Sequence, residues 1–221
     1  MGKLIVIEGL DGSGKATQSK LLVDALKGRG INCEPLSFPC YDDDSSALVR
    51  MYLNGRFGER PDDVNCYAAS VFYAVDRYAS FMSRWSKGYK DGTVFVADRY
   101  TTSNAVYQTS KLPKEKWDEF LDWLYDFEYN KLGIPKPDAV IYLDVSPEAS
   151  EKLMEKRYLG DMTKKDIHEK DIEYQRKSRE AARYCAAKQG WQTIICDQND
   201  ELRSIEDISR DVQNAAANIA R

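Results

Sequence analysis

Gly9-Leu10-Asp11-Gly12-Ser13-Gly14-Lys15 has the spacing G-x-x-x-x-G-K, and it stands between the apolar run 4–7 and the amphipathic stretch 18–27. Glycines let consecutive backbone N–H groups turn inward around an oxygen-rich anion, a helix N-terminus adds partial positive charge, and a lysine supplies a point charge. Such a cradle suits the β and γ phosphates of a nucleotide, held by Gly9, Gly12, Ser13, Gly14, Lys15, Ala16 and Thr17. Two positions depart from the common form. Ala16 stands where a hydroxyl usually meets Mg²⁺, with Thr17 one place further on, so the metal must rely on phosphate oxygens, water and a nearby acid. Asp11 puts a carboxylate inside an anion-binding loop, which calls for a metal or a sugar hydroxyl beside it.

A second group of residues points to a second anionic substrate. Asp98-Arg99-Tyr100 follows the apolar run 94–97. Arg99 offers a two-pronged contact to phosphoryl oxygens, and Asp98 can orient it or hold hydrated metal. Ser103, Asn104, Tyr107 and Gln108 form a polar cluster at helical spacing, which also fits a capped surface helix. Tyr73 and Arg77 are four apart, off the stripe Val64, Ala68, Val71, Val75, Ala79 and Met82. A ring beside a planar donor suits a nucleobase, the ring stacking and the guanidinium meeting a carbonyl. An exposed tyrosine next to a solvated arginine has the same spacing.

These residues need a frame. Apolar runs at 4–7, 94–97, 139–143 and 193–196 each precede an acid, and 33–38 is a weaker fifth. Continuous apolar strands separated by helical stretches predict an α/β fold with a parallel sheet covered on both faces. Helices are expected over 62–87, 114–131, 146–157 with Ser146 as N-cap, from about 170 to 188, and 205–219. Residues 158–170 carry Gly160 and mixed charges without apolar periodicity, the pattern of a mobile surface segment. No repeat or Pro-rich linker divides the 221 residues, so one domain spanning 1–221 is expected.

Composition narrows the function classes. Net charge is −4, with 32 basic against 36 acidic residues, which argues against a protein that coats nucleic acid. Five cysteines without a C-x-x-C pair argue for a reducing, cytoplasmic setting, and a single histidine removes two-histidine metal motifs and makes a Ser-His-Asp hydrolase improbable. No apolar run reaches membrane-span length. Thr163-Lys164-Lys165-Asp166 fits the guanine-reading [NT]-K-x-D pattern of a nucleotide switch, but it follows a helix rather than a strand.

The order of these motifs resembles one family. The phosphate loop, Phe38-Pro39, F-Y-A-x-D-R at 72–77, Asp98-Arg99-Tyr100 with Ser103-Asn104-Ala105, and the segment ending His168-Glu169-Lys170-Asp171 together resemble thymidylate kinase over essentially the whole chain. The resemblance implies a P-loop nucleoside monophosphate kinase-like fold with a five-stranded parallel sheet and a basic lid at about 158–170. It implies transfer of the γ-phosphoryl group from Mg²⁺-ATP to thymidine monophosphate, and a homodimer packed through helices. It places Tyr73 on the thymine ring, Arg77 at the base O4, Asn104 on the base, Tyr107 against the sugar 2′ position and Asp11 near the 3′-hydroxyl. Arg99 would bridge the two phosphates, and Phe38 and Leu53 would wall the pocket. An arginine often follows the Phe-Pro pair in this family; Cys40 and Tyr41 stand here instead, leaving Tyr41 and Arg50 as candidates for the acceptor phosphate. With Gly12 in the loop, catalytic cations are expected from the lid, namely Lys164 and Lys165, with Arg157 beside the nucleotide. A kinase for another nucleoside monophosphate is the nearest alternative, since Arg77 would accept O4 of uracil equally.

Overall fold

The apolar runs form five parallel strands: β1 (Lys3–Gly9), β2 (Cys33–Ser37), β3 (Val94–Asp98), β4 (Ala139–Asp144) and β5 (Gln192–Ile195). The computed structural model describes residues 1–146, 148–150, 152–153, 168, 171–198 and 201–219. Strand order is β2-β3-β1-β4-β5, and every neighbouring pair is parallel. A short antiparallel pair, β6 (Asp197–Gln198) and β7 (Glu201–Leu202), follows.

Side chains of β1 alternate between two cores. Ile5 and Ile7 pack with Leu22, Val23 and Leu26 of α1 (Lys15–Gly28) and with Ile208 and Val212 of the C-terminal helix Ile205–Ala216. Leu4 and Val6 face the opposite side, with Trp85, Tyr89, Phe95 and Tyr100. Each fully buried side chain of this size contributes about 1.5–3 kcal/mol.

Among the described residues, the further helices that are complete are α2 (Ala47–Leu53), α3 (Cys66–Ser80), α4 (Ser86–Lys90), α5 (Thr101–Tyr107), α6 (Trp117–Tyr125) and α7 (Ile172–Gln189), and the C-terminal helix is α8. Asn65, Asp171 and Ser204 cap α3, α7 and α8 by accepting backbone N–H groups. Ser146 Oγ likewise accepts from Ala149 N at 3.2 Å, and residues 148–150 and 152–153 are helical, as the Ser146 cap predicts. A π-turn at Phe81–Trp85 joins α3 to α4, and another at Asp126–Lys131 extends α6.

Two members of the apolar stripe read over 62–87 stand outside the core. Val75 is 44% exposed and Met82 57%, whereas Cys66, Ala69, Ser70, Arg77 and Ser80 are buried. The inward face of α3 is small and polar because it borders a polar site, which leaves the larger apolar side chains outside. Among the described residues, no helix is long and apolar enough to cross a membrane.

Candidate active site

β1 and β3 lie side by side with Ile7 opposite Asp98, so the segments leaving their carboxyl ends emerge together. Open α/β sheets bind ligands at that edge. From β1 the chain turns through Gly12 at φ 75° and Gly14 at φ 84°, left-handed conformations that glycine adopts without cost. Gly9 is required by close approach: a Cβ there would stand 2.4 Å from Ser13 Oγ and 2.9 Å from the Leu143 carbonyl. No side chain caps α1, so its first-turn N–H groups stay open to an anion. Lys15 is buried beneath the loop, its Nζ donating to the Leu10 carbonyl at 2.6 Å. Burial, and then Arg99 nearby, push its ammonium down to about 8; an arriving phosphate opposes that shift.

Arg99 leaves β3 at φ 69°. Its Nη2 pairs with Asp11 Oδ1, its Nη1 donates to Ser103 Oγ at 3.3 Å, and its guanidinium lies 5.3 Å from the Tyr107 ring centre. Tyr107 Oη donates to Asp11 Oδ2 at 3.0 Å, so both Asp11 oxygens have partners. Burial alone would raise the Asp11 carboxyl, but Arg99 and then Lys15 hold it below the usual carboxylate range. Burial and the Asp11 charge keep the Tyr107 phenol protonated, well above its ordinary value. Asp98 Oδ1 is buried without a hydrogen-bond partner, an orphaned acceptor at the strand end.

Two depressions meet at this junction. The first holds Gly12, Gly14, Lys15, Ala16 and Thr17 on one side and Asp98 and Arg99 on the other. The second lies deeper, between Leu53, Tyr73 and Arg77 on one wall and Ser103, Asn104, Tyr107 and Gln108 on the other. Arg99, Phe38, Pro39 and Tyr41 line both. The two depressions thus share one wall, with the Arg99 guanidinium at their junction, a shape suited to two ligands end to end.

Residues 7–211 match the family profile described as thymidylate kinase. The chain belongs to the thymidylate kinase family. It is 32% identical over 192 residues to the thymidylate kinase of Mycobacterium tuberculosis (strain H37Rv), covering 85% of this chain and 87% of that one. The thymidylate kinase of Plasmodium falciparum is 30% identical over 211 residues, 96% of this chain and 88% of its own. The fold superposes on thymidylate kinase from Candida albicans with a TM-score of 0.72 at 20% identity, over 98% of this chain and 92% of that structure.

Within this thymidylate kinase frame, not every expected residue reaches the pockets. Arg50 lines neither; its Nη1 donates to the Tyr41 carbonyl at 2.6 Å, the Asp43 carbonyl at 2.8 Å and Ser46 Oγ at 2.5 Å, pinning the loop that carries Tyr41. Arg157, Lys164 and Lys165 lie outside the described residues, as does the expected lid apart from His168. Sequence reasoning missed four participants. His168 lines the inner pocket, its ring 5.6 Å from that of Tyr107 and its Nε2 2.9 Å from Tyr52 Oη. Asp76 lines it too, and accepts from Cys40 N at 2.8 Å and Ser45 Oγ at 2.7 Å. Glu8 is fully buried and accepts from Thr102 Oγ1 at 2.5 Å and Ser103 Oγ at 2.9 Å. Glu128, also fully buried, forks onto Arg77. A signal for Glu128 existed: it falls four residues after Leu124, in register with the buried stripe Trp117, Phe120, Leu121 and Leu124.

Proposed function

We infer that the protein transfers the γ-phosphoryl group of ATP to thymidine monophosphate, giving ADP and thymidine diphosphate. Family membership supports the reaction, and the single observation that carries the geometry is Arg99 as common wall of the two depressions. In-line phosphoryl transfer asks little covalent chemistry of a protein; positioning and charge neutralisation dominate. The open N–H groups of the loop and Lys15 hold the β and γ phosphates. Arg99, fixed by Asp11 and Ser103, meets charge developing between donor and acceptor. The acceptor phosphate is already ionised at neutral pH, so no general base is required.

In the inner pocket Tyr73 stacks on the base, Arg77 meets O4, Tyr107 crowds the sugar 2′ position and Asp11 lies near the 3′-hydroxyl. Leu53, Phe38 and Pro39 close the apolar side, and Tyr41, held by Arg50, faces the acceptor phosphate. Asp98, with its orphaned Oδ1, fits Mg²⁺ directly or through water; when bound, the metal neutralises the β and γ oxygens. Arg157, Lys164 and Lys165 remain the further cations assigned to the transfer.

The chain works as one domain and as a homodimer in the cytoplasm. Five free cysteines suit a reducing compartment, and the outward apolar face of α3 suits a second copy. ADP release, coupled to an indicator reaction across a panel of nucleoside monophosphates, tests the function. Thymidine monophosphate is expected to give the highest kcat/KM, and ATP hydrolysis indifferent to every acceptor would overturn the reading.

A further inference from the structure

Glu128 belongs to the π-turn after α6, far in sequence from every residue assigned to the base, yet it is completely buried against two of them. Its Oε2 accepts from Arg77 Nε at 2.7 Å and Thr101 Oγ1 at 2.7 Å; its Oε1 accepts from Arg77 Nη2 at 2.5 Å and Asn104 Nδ2 at 3.0 Å. Two carboxylate oxygens accept about four hydrogen bonds, so this acceptor is saturated.

Saturation fixes what Arg77 and Asn104 present to a ligand. Asn104 Nδ2 gives its second proton to the Ser70 carbonyl at 3.1 Å. Both neighbours of that nitrogen are pure acceptors, so the amide has one satisfied orientation, and Oδ1 is the group left for the pocket. Arg77 places two N–H groups on Glu128 and one on the Tyr100 carbonyl at 3.3 Å, leaving two without a described partner in the pocket that it lines. The wall therefore offers donors from Arg77 beside an acceptor from Asn104. A 4-oxo pyrimidine matches that order with O4 accepting and N3–H donating. A 4-amino pyrimidine presents the reverse, donor to donor and acceptor to acceptor.

We propose that Glu128 is the positioning residue that makes the site select 4-oxo over 4-amino pyrimidine monophosphates, by locking the Asn104 amide and the Arg77 fork. The proposal rests on the thymidylate kinase reading. A buried polar wall that cannot turn over leaves its own groups unpaired against the wrong base, which is how large discrimination arises.

Glu128→Gln keeps the shape and offers an amide donor in place of one acceptor oxygen. The Asn104 amide is then fixed by the Ser70 carbonyl alone, so the turned form, with Nδ2 toward the pocket, becomes accessible. Steady-state kinetics with thymidine and deoxycytidine monophosphates should show the kcat/KM ratio between them narrowing by about tenfold or more. For thymidine monophosphate the loss should fall on KM, with kcat within about threefold, because the base is remote from the reacting phosphates. A purely structural role lowers both substrates by one factor; an unchanged ratio in a folded variant overturns the proposal. Should Glu128→Gln fail to fold, the wild-type protein decides with N3-methylthymidine monophosphate. That probe has no N3–H for Oδ1 and should raise KM at least about tenfold, whereas an unchanged KM overturns the locked-amide assignment. Turnover of thymidine monophosphate by the wild-type chain is the control: without it the functional reading falls, and with it only the role of Glu128 is at stake.

Discussion

Arg99 occupies a left-handed conformation, φ 69°, that costs a residue with a Cβ about 1–3 kcal/mol. Asp11, Ser103 and the Tyr107 ring hold it there, so the strain is tied to the place where the two depressions meet. Tyr107 is coupled to the same centre through Asp11 and also faces His168. Tyr107→Ala removes the ring assigned to the sugar 2′ position and should narrow the deoxy-over-ribo kcat/KM ratio by about tenfold, whereas Tyr107→Phe should leave that ratio near wild type. Equal ratios in wild type and Tyr107→Ala would remove Tyr107 from sugar selection. His168 permits a test by pH. Burial, and then Lys111 nearby, push its imidazole down to about 3 from an ordinary 6.5, so the folded protein holds it neutral. Between those values the unfolded chain binds a proton that the folded chain does not. The stability linked to His168 is therefore fully present above about 6.5 and is lost as pH falls toward 3, at up to about 1.4 kcal/mol per pH unit. Denaturant titrations of wild type and His168→Asn should differ by a constant amount above pH 7 and converge, then cross, below about pH 6; a constant gap down to pH 4 would contradict the burial assigned to this ring.

Two connections, from β1 into α1 and from β3 into α5, do most of the positioning, and the first is closed by Gly9. An added Cβ at 2.4 Å from Ser13 Oγ and 2.9 Å from Leu143 O must move either the loop or β4. The loop is the softer of the two, so Gly9→Ala should raise KM for ATP and lower kcat by about tenfold or more while Tm falls by only a few degrees. Wild-type kinetics in that variant would show that the loop conformation is not set by this contact. Both connections are legible in the sequence, because glycine spacing and an acid after an apolar run are local signals. The same holds for the sheet and for the Ser146 cap. Other elements carry no such local mark. α2 (Ala47–Leu53) is too short for its periodicity to stand out. Asp76 looks like a surface acid until Cys40 and Ser45 bury it, and the marks on Glu8, at the end of an apolar run, and on Glu128, in register with a buried stripe, do not name the distant partners they meet: Thr102 and Ser103, Arg77 and Asn104. For α3 the apolar stripe is correctly periodic, but periodicity cannot say whether the partner of that stripe is the sheet or something outside the monomer.

At the scale of the whole molecule, the outward face of α3 is the surface on which the proposed homodimer rests. Val75, Tyr78 and Met82 recur at helical spacing through α3 into the following π-turn, with exposures of 44%, 40% and 57%. The opposite face of the same helix carries Arg77 and the wall of the inner pocket. One helix thus separates the site from the surface assigned to a second copy, and substitutions on the outward face leave the inward hydrogen bonds untouched. A closed, two-fold interface places the same patch on both partners, so each added charge is met by its own symmetry mate or a near neighbour. Val75→Glu with Met82→Glu should therefore shift sedimentation from dimer to monomer at micromolar concentration. The Arg77–Glu128 pair stays buried in the separated chain, so KM for thymidine monophosphate should change by less than about threefold. A double variant that sediments as the wild type does across a hundredfold range of concentration would remove α3 from the interface. Loss of nucleotide affinity together with the dimer would show that the inner wall depends on the second copy.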